Sequence, residues 1–383
     1  MNAKPQGRVY SIQSPTTHFT NGVVAARRLG SRSAVSPFAT ASPRLEWLDV
    51  AKGFGIVLVV FGHGLGGLID AGLDQPGSGF RDVLLLIYLF HMPLFFILSG
   101  VLVQTRIETN AGRFRRSLLV NIVYPYFLWS TIQFTAIYLA GNLVNAPADA
   151  FWPTVLSLPY RTVSQFWFLY ALFLMHCASL LLLQRVGPTL FLLIMLMLKS
   201  VVLIVPLDAP WRQAASMAPY YGTGVLLGSQ GITKALIDQP KWVKLALLPI
   251  ISALLLALTY FAIIGEMAPA TFYKARTAEI LGQSWTFTAL AAALATSAAV
   301  IALSSTMPAW FAGALAYLGR MSLAIFILHV LFVAGTRIVL TNVFNFTNPY
   351  LVLLAIVTIG LLGPLIVVRT LEFLRLAKPL GLT

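Results

Sequence analysis

The chain is poor in cysteine, in charge and above all in carboxylates. It holds one cysteine, Cys177, within an apolar run, which excludes an intrachain disulfide and a cysteine-rich metal site. Only 10% of its 383 residues are charged, and the twelve Asp and Glu are scattered. That scatter argues against a Mg-dependent phosphotransferase, whose metal is held by clustered carboxylates. No HExxH helix, Walker loop or GxSxG elbow occurs, so no metal site and no serine-hydrolase elbow is expected. No internal repeat is visible, which weighs against transporter folds built from duplicated halves.

Apolar residues fill the space. They make up 58% of the chain, and the mean hydropathy is +0.83. These values predict an all-α integral membrane protein. The net charge of +14 would suggest nucleic acid in a soluble protein. Here the membrane rule for Lys and Arg explains it, and no nucleic-acid partner is expected.

Apolar segments are expected at about 46–68, 83–103, 117–141, 165–184, 188–206, 215–230, 242–264, 284–305, 319–341 and 348–370. About ten helices place both termini on one face. With that face cytoplasmic, the inner segments carry eighteen of the 26 Lys and Arg and the outer loops six, while Lys52 and Lys199 lie within helices. Residues 1–43 are polar, basic and lack an apolar core, so they read as a disordered cytoplasmic extension and not as a signal peptide; a misassigned start is the competing reading. The membrane domain is expected over 44–371, with a cytoplasmic tail over 372–383. The segment Met217–Gly228 is short and glycine-rich, and suits either a plain span or a broken helix lining a cavity. Trp152, Tyr160, Tyr273 and Trp285, in or beside the outer loops 142–164 and 265–283, suit an interfacial aromatic belt or stacking on a sugar.

Four ionisable residues fall on the first two apolar segments: Asp49, Lys52, His63 and His91. An ionisable group inside a membrane segment costs several kcal/mol by most estimates, so four on one hairpin point to function. Lys52 and His63 are eleven residues apart, about three turns, and so share a helix face ~16 Å apart along its axis. Asp49 lies three residues before Lys52 and can pair with its amine. His63 and His91 are expected at similar depth in the outer third, where an antiparallel hairpin brings their rings together. A neutral imidazole suits a general base near pH 7. The first inner loop places Arg106, Arg113, Arg115 and Arg116 within eleven residues. They suit bidentate contact with a polyanion or with anionic lipid headgroups. Phe166–His176 puts aromatics at the outer end of the fourth segment, and Arg320, Ser322 and His329 lie on the ninth. Seven residues separate Ser322 from His329, so they share a face. His176 and His329 taken alone suit interhelical hydrogen bonds.

The segments Trp47–Gly53, Gly62-His63 and Phe90–Gly100 carry a resemblance, supported by Arg113-Phe-Arg-Arg116 ahead of Tyr124-Pro-Tyr126, by Trp167-Phe-Leu169 and by Leu318–His329. The chain resembles the membrane acyltransferase family 3, in particular its branch related to fucose 4-O-acetyltransferases. The resemblance implies transfer of an acyl group, usually acetyl, from cytoplasmic acyl-CoA to a carbohydrate hydroxyl at or beyond the outer face. The acceptor is left open among exopolysaccharide, lipopolysaccharide, glucan and lipid-linked oligosaccharide. Acyl-CoA is then a substrate, and no bound cofactor is expected. His63 is the implied essential histidine. Lys52 stands where many members have Arg, which keeps the charge but loses the fork. The assignments expected on this basis are His63, His91 and Asp49 for catalysis. Lys52, Arg106, Arg113 and Arg116 are expected to hold acyl-CoA, and Ser99, Trp167, Ser322 and His329 to support the acceptor or the structure. A succinyltransferase on the same scaffold, and a ten-helix transporter or flippase, are the alternatives.

Overall fold

From Val83 to Val101 there is no Asp, Glu, Lys or Arg, and from Pro349 to Val368 there is none again. Stretches of this kind bury poorly in water and, as helices of ~1.5 Å rise per residue, are long enough to cross a ~30 Å hydrocarbon core. The computed structural model describes residues 43–74, 77–145, 150–205, 207–263 and 287–382. Among these residues every regular element is helical. The chain is an all-α integral membrane protein. Among the described residues, five stretches of continuous helix suffice by length and composition to cross a membrane: Glu46–Asp70, Phe80–Val101, Ser164–Val201, Ser322–Val343 and Pro349–Phe373. The basic extension before residue 43 and the loop 265–283, with Tyr273 and the nearby Trp285, lie outside the described residues.

The elements are α1 (Pro43–Asp70), α2 (Phe80–Val101), α3 (Val103–Leu118), α4 (Tyr124–Ala140), α5 (Phe151–Ser157), α6 (Trp167–Ala178), α7 (Gln184–Ile204), α8 (Trp211–Ser229), α9 (Ile232–Ile237), α10 (Lys241–Ile263), α11 (Phe287–Leu303), α12 (Ala309–Arg320), α13 (Ser322–Ile338) and α14 (Pro349–Phe373). Single π turns at 119–123, 179–183 and 339–343 join or extend these helices. Such turns recur near functional sites because they redirect side chains without ending a helix. Ser164–Val201 is continuous by hydrogen bonding but contains a reversal. Gly187 has φ +74°, a left-handed conformation, and Pro188 follows. Contacts along α8 show the reversal: Tyr170 and His176 of α6 meet Trp211 and Tyr221 in order, whereas Phe191 and Lys199 of α7 meet Tyr221 and Ser216 in the opposite order. The separate segments expected at 165–184 and 188–206 are therefore antiparallel.

Two pairs of helices touch backbone to backbone. On α8, an added Cβ at Gly224 or Gly228 would strike the carbonyls of Ile97 or Val101 on α2; one at Gly100 would strike Tyr221 in return. Small residues at this spacing let membrane helices approach closely and gain dispersion contact. This corrects the broken-helix reading of Met217–Gly228: α8 runs unbroken, and its glycines serve packing on α2. The second pair is α1 with α12, where Gly53 and Gly319 lie against Leu315 O and Asp49 O respectively.

The C-terminal end is tied down. The Tyr124 hydroxyl donates to Pro379 O at 2.7 Å, and Trp129 Nε1 donates to Leu380 O at 2.8 Å, so the tail rests on α4. The start of α14 is capped by Asn348 Oδ1, which accepts from Tyr350 N and Leu351 N, both at 3.1 Å.

Candidate active site

One stripe of α1 lines two cavities in succession. Asp49, Lys52, Ile56 and Val59 face a cavity of about 490 Å³; Val59, His63, Gly67 and Asp70 face another of about 520 Å³. The near-100° step per residue puts these positions on one face. Three further helices, α2, α6 and α13, contribute walls to both. α2 presents Phe95, Ser99 and Leu102 to the first cavity and Tyr88 and His91 to the second. α6 and its leading turn present Leu172 and His176 to the first, and Gln165 and Trp167 to the second. α13 presents Ser322 and Leu323 to the first, and Val330 and Arg337 to the second. Val59, Met92 and Phe326 line both.

The first cavity is cationic. Lys52, Arg106 and Arg320 line it, and the charges of Lys52 and Arg320 act on Asp49. Arg320 ends α12, and the close approach of Gly319 to Asp49 carries it to this position. No place beside Lys52 was expected for Arg320 from its sequence position, because the contact between α1 and α12 is not local. Arg113 and Arg116, by contrast, stand exposed on α3 and do not line the cavity. The helix breaks at Asn110 (φ −165°, ψ 92°), whose Oδ1 accepts from Arg113 N at 2.8 Å. That break separates Arg106, on the cavity, from the arginines that follow.

His176 adds a directed hydrogen-bond chain to the same cavity. Ser179 Oγ donates to Met175 O at 3.0 Å. Its only proton thus used, Ser179 accepts from the Tyr221 hydroxyl at 2.8 Å. Tyr221 must then accept from His176 Nδ1, also at 2.8 Å. The chain leaves the lone pair of the neutral ring on Nε2. Phe114 packs edge-on against this ring at 5.3 Å between centroids. The cavity thus has an acceptor as well as cations.

The second cavity holds imidazoles. His91 Nδ1 donates to Ile87 O at 2.7 Å, and its ring packs against Tyr88 at 5.0 Å. His91 and His63 line the same space, but the ring directly against His63 is His329, at 5.0 Å between centroids. His329 is fully buried and lines neither cavity, so it backs His63. Its Nδ1 lies 2.7 Å from Phe326 O and 3.1 Å from Ile325 O, so that nitrogen carries the proton. Its buried Nε2 has no hydrogen-bond partner among the described residues. The two rings therefore pack against each other without a hydrogen bond between them. The sequence offered Ser322 and His329 on one face; the structure separates them, Ser322 to the first cavity and His329 behind His63.

Toward the mouth of the second cavity the lining becomes polar without becoming cationic. Asp70 and Arg337 interact electrostatically there. Gln165 exchanges hydrogen bonds of 2.7 and 2.9 Å with Gln133, and Gln213 Oε1 is buried with no partner among the described residues. The loop after α4 reaches over this end, with Asn145 Nδ2 donating to Gly67 O at 3.1 Å. Trp167 lines this cavity; Ser99 lines the other and donates to Phe95 O at 2.8 Å. Trp152 and Tyr160 are exposed outside both.

Residues 45–369 match the family model described as an acyltransferase domain. A stretch of 152 residues is 30% identical to the nodulation protein NolL of Mesorhizobium japonicum and spans 38% of each chain. No solved structure matches.

Proposed function

Because the chain belongs to the acyltransferase family that it matches over 45–369, and is thus a membrane acyltransferase, we propose that it moves an acyl group from acyl-CoA, acetyl-CoA first among them, to a hydroxyl of a cell-surface or lipid-linked carbohydrate. The observation that carries this reading is the pair of cavities along α1, one cationic around Lys52 and one lined by His63 and His91. A donor with several phosphates and a thin arm suits the first; a neutral, hydroxyl-rich acceptor suits the second. The bias of Lys and Arg toward the Lys52 end supports a cytoplasmic donor and an inner-membrane location.

In this mechanism Lys52, Arg106 and Arg320 hold the donor phosphates, with Arg113 and Arg116 at the approach. His176 Nε2 accepts from an N–H of the donor. The pantetheine arm runs along α1, whose ~16 Å from Lys52 to His63 is comparable to its extended length. His63 takes the proton of the acceptor hydroxyl as its oxygen attacks the thioester carbonyl. The new C–O bond forms, the C–S bond breaks, and the proton passes from His63 to the departing sulfur. His329 packs against the His63 ring and holds it in place, while His91, whose Nδ1 donates to Ile87 O, offers the lone pair of its Nε2 to a hydroxyl of the acceptor. Trp167 offers a face for a sugar ring.

The test is acyl transfer in membranes from expressing cells, with acyl-CoA labelled in its acyl group. Label should enter a glycan or glycolipid fraction, and His63→Ala should abolish this while CoA binding survives. Normal turnover by that variant, or no acyl-CoA-dependent label with the wild type, would overturn the reading.

A further inference from the structure

Val59, Met92 and Phe326 line both cavities and therefore form the wall between them. They come from α1, α2 and α13, and all three are buried. Lys52 and Arg106 lie on one side and His63 and His91 on the other, but the wall itself presents a β-branched aliphatic, a thioether and a phenyl ring. Val59 stands two turns from Lys52 and one turn from His63, about 10 Å and about 6 Å along the axis. We propose that these three residues form an apolar collar that selects the acyl group: small, uncharged acyl chains pass to His63, while longer chains and those ending in a carboxylate are rejected.

The proposal rests on the reading of the Lys52 cavity as the donor side. An acyl-CoA anchored there meets the collar with its acyl end first. An added methylene must displace packed side chains, and pockets of this kind discriminate by roughly 10- to 200-fold per methylene. A terminal carboxylate, as in succinyl, must shed its water between three groups that offer it neither a hydrogen bond nor a cation. Met92 is the adjustable member, because its unbranched side chain adapts to what passes. Val59 is stiff about χ1 and sets the minimum width.

The experiment uses the full chain in native membranes with labelled acetyl-, butyryl- and succinyl-CoA. Transfer to the glycan fraction is measured together with binding, the latter by displacement of labelled CoA. The wild type should favour acetyl over butyryl and succinyl by about 10-fold or more. Met92→Ala, with Phe326→Leu as a second variant, should raise the butyryl-to-acetyl ratio by about 10-fold and leave succinyl rejected. Val59→Phe should block transfer from all donors while CoA binding stays within about twofold, which also reports folding. A wild type that transfers butyryl as readily as acetyl would overturn the collar. So would unchanged ratios in both widened variants, or normal transfer by Val59→Phe. If the wild type neither binds CoA nor transfers any acyl group, the donor reading itself fails and takes the collar with it; transfer with unaltered selectivity removes the collar alone.

Discussion

The two cavities share four helices and nearly one volume, about 490 and 520 Å³, yet their chemistry is opposite. At one end Lys52, Arg106 and Arg320 converge on one space; at the other, His63, backed by His329, and His91 line a space where no cluster of cations is offered. A few turns of helix separate the two. On the proposed mechanism the contrast divides donor binding from proton transfer without a second domain: the same helices continue and the side chains on the α1 stripe change. It also shows two ways of positioning a group. The cationic cavity owes Arg320 to a glycine crossing between helices, whereas the imidazole cavity owes its order to hydrogen bonds with main-chain carbonyls.

The contrast breaks most sharply at His63. Substitution by Ala should lower turnover by about 10²- to 10⁴-fold, the range for a general base, with donor binding intact by displacement of labelled CoA. His329→Gln should have a smaller effect, about 10-fold on kcat, with donor KM unchanged. An effect confined to KM would count against the backing role. On the other side, Arg320→Ala should raise donor KM by about 10-fold or more, since hydrogen bonds to charged groups contribute ~1.5–3 kcal/mol. Arg113→Ala and Arg116→Ala, exposed as they are, should raise donor KM by less than about fivefold. An effect of either on acceptor KM alone would contradict a donor role. The smallest effect is expected at Gly67, where an added Cβ meets nothing within 4 Å: Gly67→Ala should leave thermal stability in detergent unchanged within error. Gly319→Ala, against the Asp49 carbonyl, should destabilise by about 1–3 kcal/mol and weaken donor binding.

The α1 stripe was legible in the sequence because helix period alone aligns Lys52 with His63 and needs no knowledge of neighbours. The same period places Val59 and Asp70 on that face. The partners across the bundle were not legible. His91 was the expected companion of His63 because the two share a hairpin. His329, some 266 residues away in the chain, makes the direct ring contact instead. Its signal was present in a buried histidine on a helix otherwise apolar for a full turn on each side, but nothing local says which histidine it meets. Arg320 was hidden for a similar reason: its place depends on Gly53 and Gly319 meeting, and glycine within an apolar segment reads equally as packing or as a break. The arginines after Asn110 were treated as one cluster with Arg106 because they are neighbours in sequence. The break at Asn110 separates them, and its Asn side chain is the local sign of it.

The contacts at Gly53 and Gly319, and those at Gly100, Gly224 and Gly228, leave no side-chain layer between the helices they join. A layer of side chains is what permits two rods to slide, since rotamers adjust where main chain cannot. α1 with α12, and α2 with α8, are therefore mechanical couples that travel together. Any breathing of the Lys52 cavity then falls to the walls outside these couples, α3, α6 and α13.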